Sequence, residues 1–432
     1  MTEIARKFVP EQTAPAGAWL DRAIHALFYV MVASLTLSIS LAQLAEALLI
    51  VAVAARIWRR RKLGFALGPA GALLLVFLAW VLATWPFSLH PDDAFAKLPK
   101  YWMWFVFFAS LAALDGRRTA RRAVTVMVVA AGIAALYGIA QHFFCEAAPR
   151  PAWLLTQVQL RQANGGYCHA VGFFDQHLTY GNGMALVLLT GVGLWLAESG
   201  RRRAWLTAPL ALCLLGVLWS YARSAWLGLF AGLAVFGGML GRRALAAALL
   251  GAALIGGAAY VASPSLAQRM QNSFRSDENL ERIYIWKTTL AMIADHPLFG
   301  VGPGAYRRMT PTYREGYNIH WTATGHAHNS YLQYAAESGV PAALLFVAFL
   351  AALIGLGASP PDAVKQGATG EIAAFRLRAG ATAAAAGFAA ASLLQHNGGD
   401  TVVCMTFQVV AALLLFFSGD AASAAPDAKD RP

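Results

Sequence analysis

Charge is scarce in this chain, and its scarcity excludes most of what a protein of this length could be. Only 13% of the 432 residues are Asp, Glu, Lys or Arg, against 58% hydrophobic. That is too little polar surface for a soluble multidomain protein, and the chain is far too long for a peripheral anchor. Other devices are missing as well. The sequence has no P-loop, no HExxH, no paired CxxC and no internal repeat, so any chemistry must come from dispersed residues. Acidic residues are outnumbered, 22 against 34 basic, which leaves a net charge of +12. The placement of that charge in short loops reads as membrane topology and attraction to anionic lipid, not as a nucleic-acid surface.

What is present is a series of apolar runs. Stretches of about 17–22 residues, the thickness of a bilayer core, recur between Ala23 and Phe417. The first, Ala23 to Trp58, is too long for one span and is divided near Ser40. The others cover about 66–84, 98–114, 123–143, 181–198, 204–220, 224–240, 244–262, 340–357, 373–394 and 400–418. The fold class predicted is therefore all-α, a polytopic membrane protein of about twelve transmembrane helices. We divide it into an N-terminal bundle over 1–262, a helical loop domain over 263–339, and C-terminal helices with a tail over 340–432.

Arg56 with Arg59 to Lys62, Arg117-Arg118 with Arg121-Arg122, Arg201 to Arg203, Arg242-Arg243, and Arg376 with Arg378 fall on one side of this layout, joined by Arg6, Lys7, Lys429 and Arg431 at the ends. Short basic loops stay in the cytoplasm, so both termini are expected there. The polar stretch Met1 to Ala18 predicts no cleavable leader, and the first apolar run is expected to remain as an anchor. Of the four cysteines, Cys213 and Cys404 fall within spans as small core residues. Cys145 and Cys168 share an outward loop, where a disulfide is expected in an oxidising periplasm.

The longest outward segment, 263–339, predicts three helices. Ser265 to Gln268 has capping-box form, Glu278 to Ala294 has helical spacing with Arg282 and Trp286 on one face, and Ser330 to Gln333 is a second capping box. Gly300, Gly302 and Gly304 read as turn punctuation between them. His328 then stands beside a helix N-terminus, where the dipole disfavours imidazolium, so a neutral imidazole able to act as a base is expected. Arg223 sits in a tight outward turn against the prevailing charge bias. It reads either as a cation snorkelling to a headgroup or as a phosphate clamp. Arg282 reads either as the surface partner of Glu278 or as a second anion contact. Asp92-Asp93 lack the spacing of a divalent-metal site and are expected to be loop charge, so no metal and no cofactor are predicted. Histidine content alone decides nothing, because His90, His142, His169, His177, His296, His320, His326 and His396 are also outward. Inside the spans Glu46 is the clearest ionisable residue, too little for an ion-coupled transporter, which stays as the non-enzyme alternative.

Taken together, Ser220-Tyr-Ala-Arg223-Ser, Arg282 with Trp286, His296 to Gly302, His328-Asn329-Ser-Tyr-Leu and Glu337-Ser-Gly339 resemble the O-antigen ligase and polymerase superfamily. The ligase pattern of His, then Asn, Ser or Gln, then Gly is met by His328, Asn329 and Gly339, and departs at Ala342. The resemblance implies a GT-C type, metal-independent, inverting glycosyltransferase of the bacterial inner membrane with a periplasmic site. Its donor would be an O-antigen polysaccharide on undecaprenyl pyrophosphate and its acceptor a sugar hydroxyl of lipid A-core, within lipopolysaccharide biosynthesis. It implies His328 as base and Arg223 and Arg282 as pyrophosphate-binding residues, with Ser220, Tyr221, His326 and Asn329 in support. A polymerase that joins lipid-linked repeat units stays open, because Arg161 to Gly172 and Arg314 to Gly325 have its Arg-to-Gly spacing.

Overall fold

The computed structural model describes residues 18–145, 168–273, 276–314, 325–358 and 369–419. The terminal charges Arg6, Lys7, Lys429 and Arg431, and also Arg161 and His320, lie outside the described residues. Among the described residues the regular elements are helical, with no strand. In chain order they are α1 (Ala18–Ser34), α2 (Ile39–Arg60), α3 (Gly68–Thr84), α4 (Pro91–Lys97), α5 (Val106–Ala113), α6 (Arg117–Phe144), α7 (His177–Ala197), α8 (Gly200–Trp219), α9 (Arg223–Leu240), α10 (Arg242–Ala262), α11 (Pro264–Asn272), α12 (Ser276–Asp295), α13 (Tyr306–Arg314), α14 (Ser330–Ala358), α15 (Thr369–Ala391) and α16 (Thr401–Phe417).

Seven helical segments among these are long and apolar enough to cross a membrane: α2, α3 with its 3₁₀ extension to Phe87, α6, α7, α9, α10 and α14. Helix α16 is apolar but has only 17 residues. The clearest sign of a lipid environment is α10, which buries no residue against the protein and leaves Leu250, Leu254 and Val261 on the surface. A helix this apolar that buries none of its residues in the protein is solvated by hydrocarbon.

Three local expectations are corrected. The stretch 98–114 is not one helix, because Leu98–Phe105 is a 3₁₀ segment with Pro99 in its first turn, and an α-helix follows only from Val106. The proline supplies no amide hydrogen, and the tighter repeat turns Met103 and Trp104 into the core. Ser263, not Ser265, caps α11, its hydroxyl accepting the Leu266 N–H. A further helix, α13, follows the glycine turn in a stretch where no helix was expected. Its Tyr306 and Thr310 are buried, and Met309 and Tyr313 pack on a small core of Ile285, Met292, Val301, Ala305 and Tyr306 that is separate from the main one.

Ion pairs tie the basic helix ends together at one end of the bundle. Arg60 pairs with Asp21, Arg117 with Glu371, and Arg121 with Glu198, while Arg203 and Arg376 donate to the carbonyls that end α7. The main core runs between these ends, with α15 lying against α7 and α9. At that crossing Gly228 faces Gly387, where a Cβ on Gly228 would come within 2.7 Å of the Gly387 carbonyl. Glycine at both positions lets the two backbones touch.

Candidate active site

At the opposite end, α8 stops at Trp219 and α9 starts at Arg223, which leaves a three-residue turn. The turn is held from inside. The Ser220 hydroxyl donates to the Val217 carbonyl at 2.7 Å and accepts the Ala222 N–H at 3.2 Å. His177 Nδ1 donates to the Ser220 carbonyl at 2.7 Å. Tyr221 is buried in the left-handed region, φ 55°, with its ring stacked on His169 at 4.8 Å. Non-glycine residues seldom adopt that backbone, so the packing must hold it. The result is that Arg223 begins α9 half-buried and directed outward, where its guanidinium donates to Asn279 Oδ1 at 3.3 Å.

A second brace comes from the preceding loop. Cys145 and Cys168 are joined in a disulfide, Cα to Cα 5.3 Å. Around it, His142 Nδ1 donates to the Cys168 carbonyl at 2.7 Å, and the His142 ring stacks on Trp219 at 4.9 Å. The Ala170 N–H donates to the Trp219 carbonyl. The disulfide is thus wired to the last residue of α8.

Helix α12 crosses above this turn. Arg282, Ile283 and Trp286 from it, with Arg223, Trp226 and Leu227 from α9, Met270, Ser273 and Asn279, and Leu394 from the loop after α15, line one cavity of about 520 Å³. Its walls are mostly apolar and both arginines open into it. The side chain of Glu278, the surface partner expected for Arg282, lies outside the described residues.

His328 is tied to residues that border this cavity. The indole N–H of Trp286 donates to the Ala327 carbonyl at 3.1 Å, and His328 Nδ1 is 3.0 Å from Gln395 Oε1, the neighbour of Leu394. An amide oxygen only accepts, so Nδ1 carries the hydrogen and Nε2 keeps its lone pair. The imidazole is held below the usual histidine range chiefly by burial, with Arg282 adding in the same direction and Gln395 opposing. Neutrality therefore arises mainly from desolvation and not from the helix dipole. His326 lies half-buried beside it, rings 4.3 Å apart, and is pushed down to about 3 by desolvation first and then by His328, Lys97 and Lys100. Its Nδ1 accepts the His328 N–H at 3.2 Å, which helps hold His328 at φ 50°.

Asn329 has another task. Its Oδ1 accepts the N–H groups of Tyr331 and Leu332, so Asn329 is the N-cap of α14 and Ser330 is already in the helix. The expected capping box at Ser330 is corrected accordingly: Gln333 reaches back to the Ala327 N–H, and the Ser330 hydroxyl donates to the Gln395 carbonyl. Helix α14 breaks at Gly339, φ 82°, which divides its first part, about two and a half turns, from the long apolar part.

Asp93, the remaining candidate for a metal, pairs with Arg308 at 3.3 Å and belongs to the first turn of α4. Gln395, Asn279 and Leu394 carried no motif and were not anticipated. The sequence signal for Gln395 is the short polar loop Gln395 to Asp400 between two apolar runs.

The family model for O-antigen ligase matches residues 208–347 of the chain. The matched stretch runs from within α8 to within α14 and so includes Arg223, Arg282 and His328. No curated protein matches the sequence.

Proposed function

From the premise that this chain is a member of the O-antigen ligase family, we propose that it moves an O-antigen polysaccharide from undecaprenyl pyrophosphate to a sugar hydroxyl of lipid A-core. The observation that carries the reading is one cavity lined by both Arg223 and Arg282, with His328 tied through Gln395 and Ala327 to the chain neighbours of that lining, Leu394 and Trp286. In this reading the two guanidinium groups bind the diphosphate, and the apolar lining from Trp226, Leu227, Ile283 and Leu394 accommodates the adjoining isoprenoid. His328 takes the proton from the attacking hydroxyl as its oxygen bonds to the anomeric carbon. The bond from that carbon to the phosphate oxygen breaks on the opposite face, so configuration inverts and undecaprenyl pyrophosphate leaves as an anion. That leaving group needs cationic stabilisation more than a proton, and two arginines supply it without a metal.

The wider frame is part of the same proposal. A GT-C type arrangement of about twelve spans would place the basic helix ends in the cytoplasm and this site at the periplasmic face of the inner membrane, as the charge bias favours. Both substrates are lipid-anchored, so the cavity is expected to be reached from the outer leaflet.

The test is transfer by purified protein from an undecaprenyl-pyrophosphate glycan to lipid A-core or, separately, to a second donor molecule. The ligase reading expects product with lipid A-core alone, and it expects His328→Ala to lower turnover by at least about a hundredfold at unchanged thermal stability. Elongated lipid-linked glycan would instead establish a polymerase. Full activity of His328→Ala would move the base elsewhere.

A further inference from the structure

At the end of the bundle that carries the basic helix ends, away from the arginine cavity, lies another cavity, of about 410 Å³, lined by apolar side chains alone. One wall is Ile50, Val53, Ala54 and Ile57, which recur at helical spacing along one face of α2. The loop between α2 and α3 folds over the mouth and supplies every second residue, Leu63, Phe65 and Leu67. The inner wall is Phe105 and Phe108, ring centroids 6.1 Å apart, where the 3₁₀ segment passes into α5. Leu63, Phe105 and Leu75 of α3 are exposed, so the cavity is a groove open sideways, toward the hydrocarbon around a spanning helix. It is the gap between two helices that pack elsewhere, α2 chiefly on α1 and α3 on α14.

Depth and charge narrow what can fill it. Ile50 stands ten residues before Arg60, so at about 1.5 Å per residue the groove runs about 15 Å along α2. That is one leaflet of a hydrocarbon core about 30 Å thick. At the mouth, Arg61 caps α2 in the left-handed region, φ 53°, and its N–H donates to the Ile57 carbonyl. Arg61 therefore follows the groove-lining Ile57 by one turn, and Lys62 adjoins the groove-lining Leu63. Arg60 is committed to Asp21 at 2.6 Å, whereas Arg61 and Lys62 are exposed and form no ion pair among the described residues. The Arg61 guanidinium lies over the Trp58 ring at 4.5 Å, and that indole is itself exposed, as tryptophans are at the level of lipid headgroups.

We propose that this groove is a binding site for an anionic phospholipid, with one acyl chain between α2, α3 and α5 and the headgroup held by Arg61 and Lys62. Two cations without a carboxylate partner, at the lip of an apolar groove as deep as one leaflet, match a molecule with an anionic head and a hydrocarbon tail. Other occupants fit less well. A helix from a second copy of this chain would cross both leaflets, but no lining residue lies deeper than Ile50 on α2 or Leu75 on α3. A water-soluble ligand would find no polar side chain in the wall. The lipid so placed acts as packing, filling a gap that the two helices do not close themselves.

The test is native mass spectrometry of the full-length protein released from nanodiscs of equal parts phosphatidylglycerol and phosphatidylethanolamine. Wild type is expected to retain phosphatidylglycerol with a preference of about tenfold or more, since each cation near the headgroups favours an anionic lipid. Arg61→Gln/Lys62→Gln should abolish the preference, and Arg61→Lys/Lys62→Arg should keep it. Ala54→Phe fills the groove from an exposed position of its wall and should lose the retained lipid, with helicity by circular dichroism unchanged. Ala247→Phe, at an exposed position of α10, should retain it as wild type does. Equal retention of the two lipids by wild type, or unchanged retention by Ala54→Phe, would overturn the site. A polyisoprenoid mass or a second copy of the chain in place of the phospholipid would overturn it as well.

Discussion

At the residue scale, His328 is distinguished from the other histidines by what fixes its tautomer. Gln395 accepts from Nδ1, and burial disfavours the imidazolium, so the lone pair on Nε2 is available over a wider pH range than in water. The sign follows directly. A base whose pKa lies below the ordinary histidine value keeps its neutral form as pH falls past about 6.5, so the acid limb of kcat/KM should lie below about 6.5. A pH profile of transfer checks this, and a limb at higher pH would contradict the assignment of His328 as the group that titrates. The motif around His328 was legible in the sequence because a helix start is written locally. The second contact was not legible, since Gln395 is brought 67 residues across the fold by the packing of the loop after α15. The same holds for Asn279, whose bond to Arg223 crosses 56 residues. Local signals also misassigned a cap: Asn329 and Ser330 are both good cap residues, and only the backbone decides between them.

At the scale of elements, two devices aim the site. Gly339 allows α14 to break, with φ at 82° and the Leu298 carbonyl packed where a side chain would begin. The break was legible as Ser338-Gly339 followed by Pro341. A Gly339→Ala variant therefore combines backbone strain with a steric clash, and it should cost at least about 1–3 kcal/mol. Thermal unfolding would register the loss, and a variant as stable as wild type would mean that the break is not required. The other device is the disulfide. It joins two residues 23 apart, and a cross-link closing a loop of that length contributes on the order of 3 kcal/mol. Cys145→Ser/Cys168→Ser should lower the melting temperature and, because Cys168 and Ala170 are bonded to His142 and Trp219, weaken donor use through Arg223. Comparison of donor KM for the two proteins tests this. An unchanged donor KM would confine the disulfide to stability. Helix α13 shows where sequence reading stopped: four turn-forming residues from Gly300 to Gly304 drew attention from the helical spacing of Tyr306, Met309, Thr310 and Tyr313 behind them.

At the scale of the molecule, the apolar runs carried the all-helical, membrane-spanning character of the chain, because a bilayer imposes one length on every span, and seven helical segments of the described residues meet that length where about twelve spans were expected. What they could not carry was the convergence of loops. Arg223 comes from the start of α9, Arg282 from α12 and His328 from the residues before α14, and their shared neighbourhood depends on α12 lying across the start of α9 while the loop after α15 seals the back. The central claim is that this neighbourhood holds one diphosphate. A cryo-electron microscopy map of the protein with undecaprenyl pyrophosphate tests it most directly. The account predicts density for both phosphates between the Arg223 and Arg282 guanidinium groups, with the isoprenoid along Trp226 and Ile283. Diphosphate density in any other chamber, or contact with neither arginine, would contradict it.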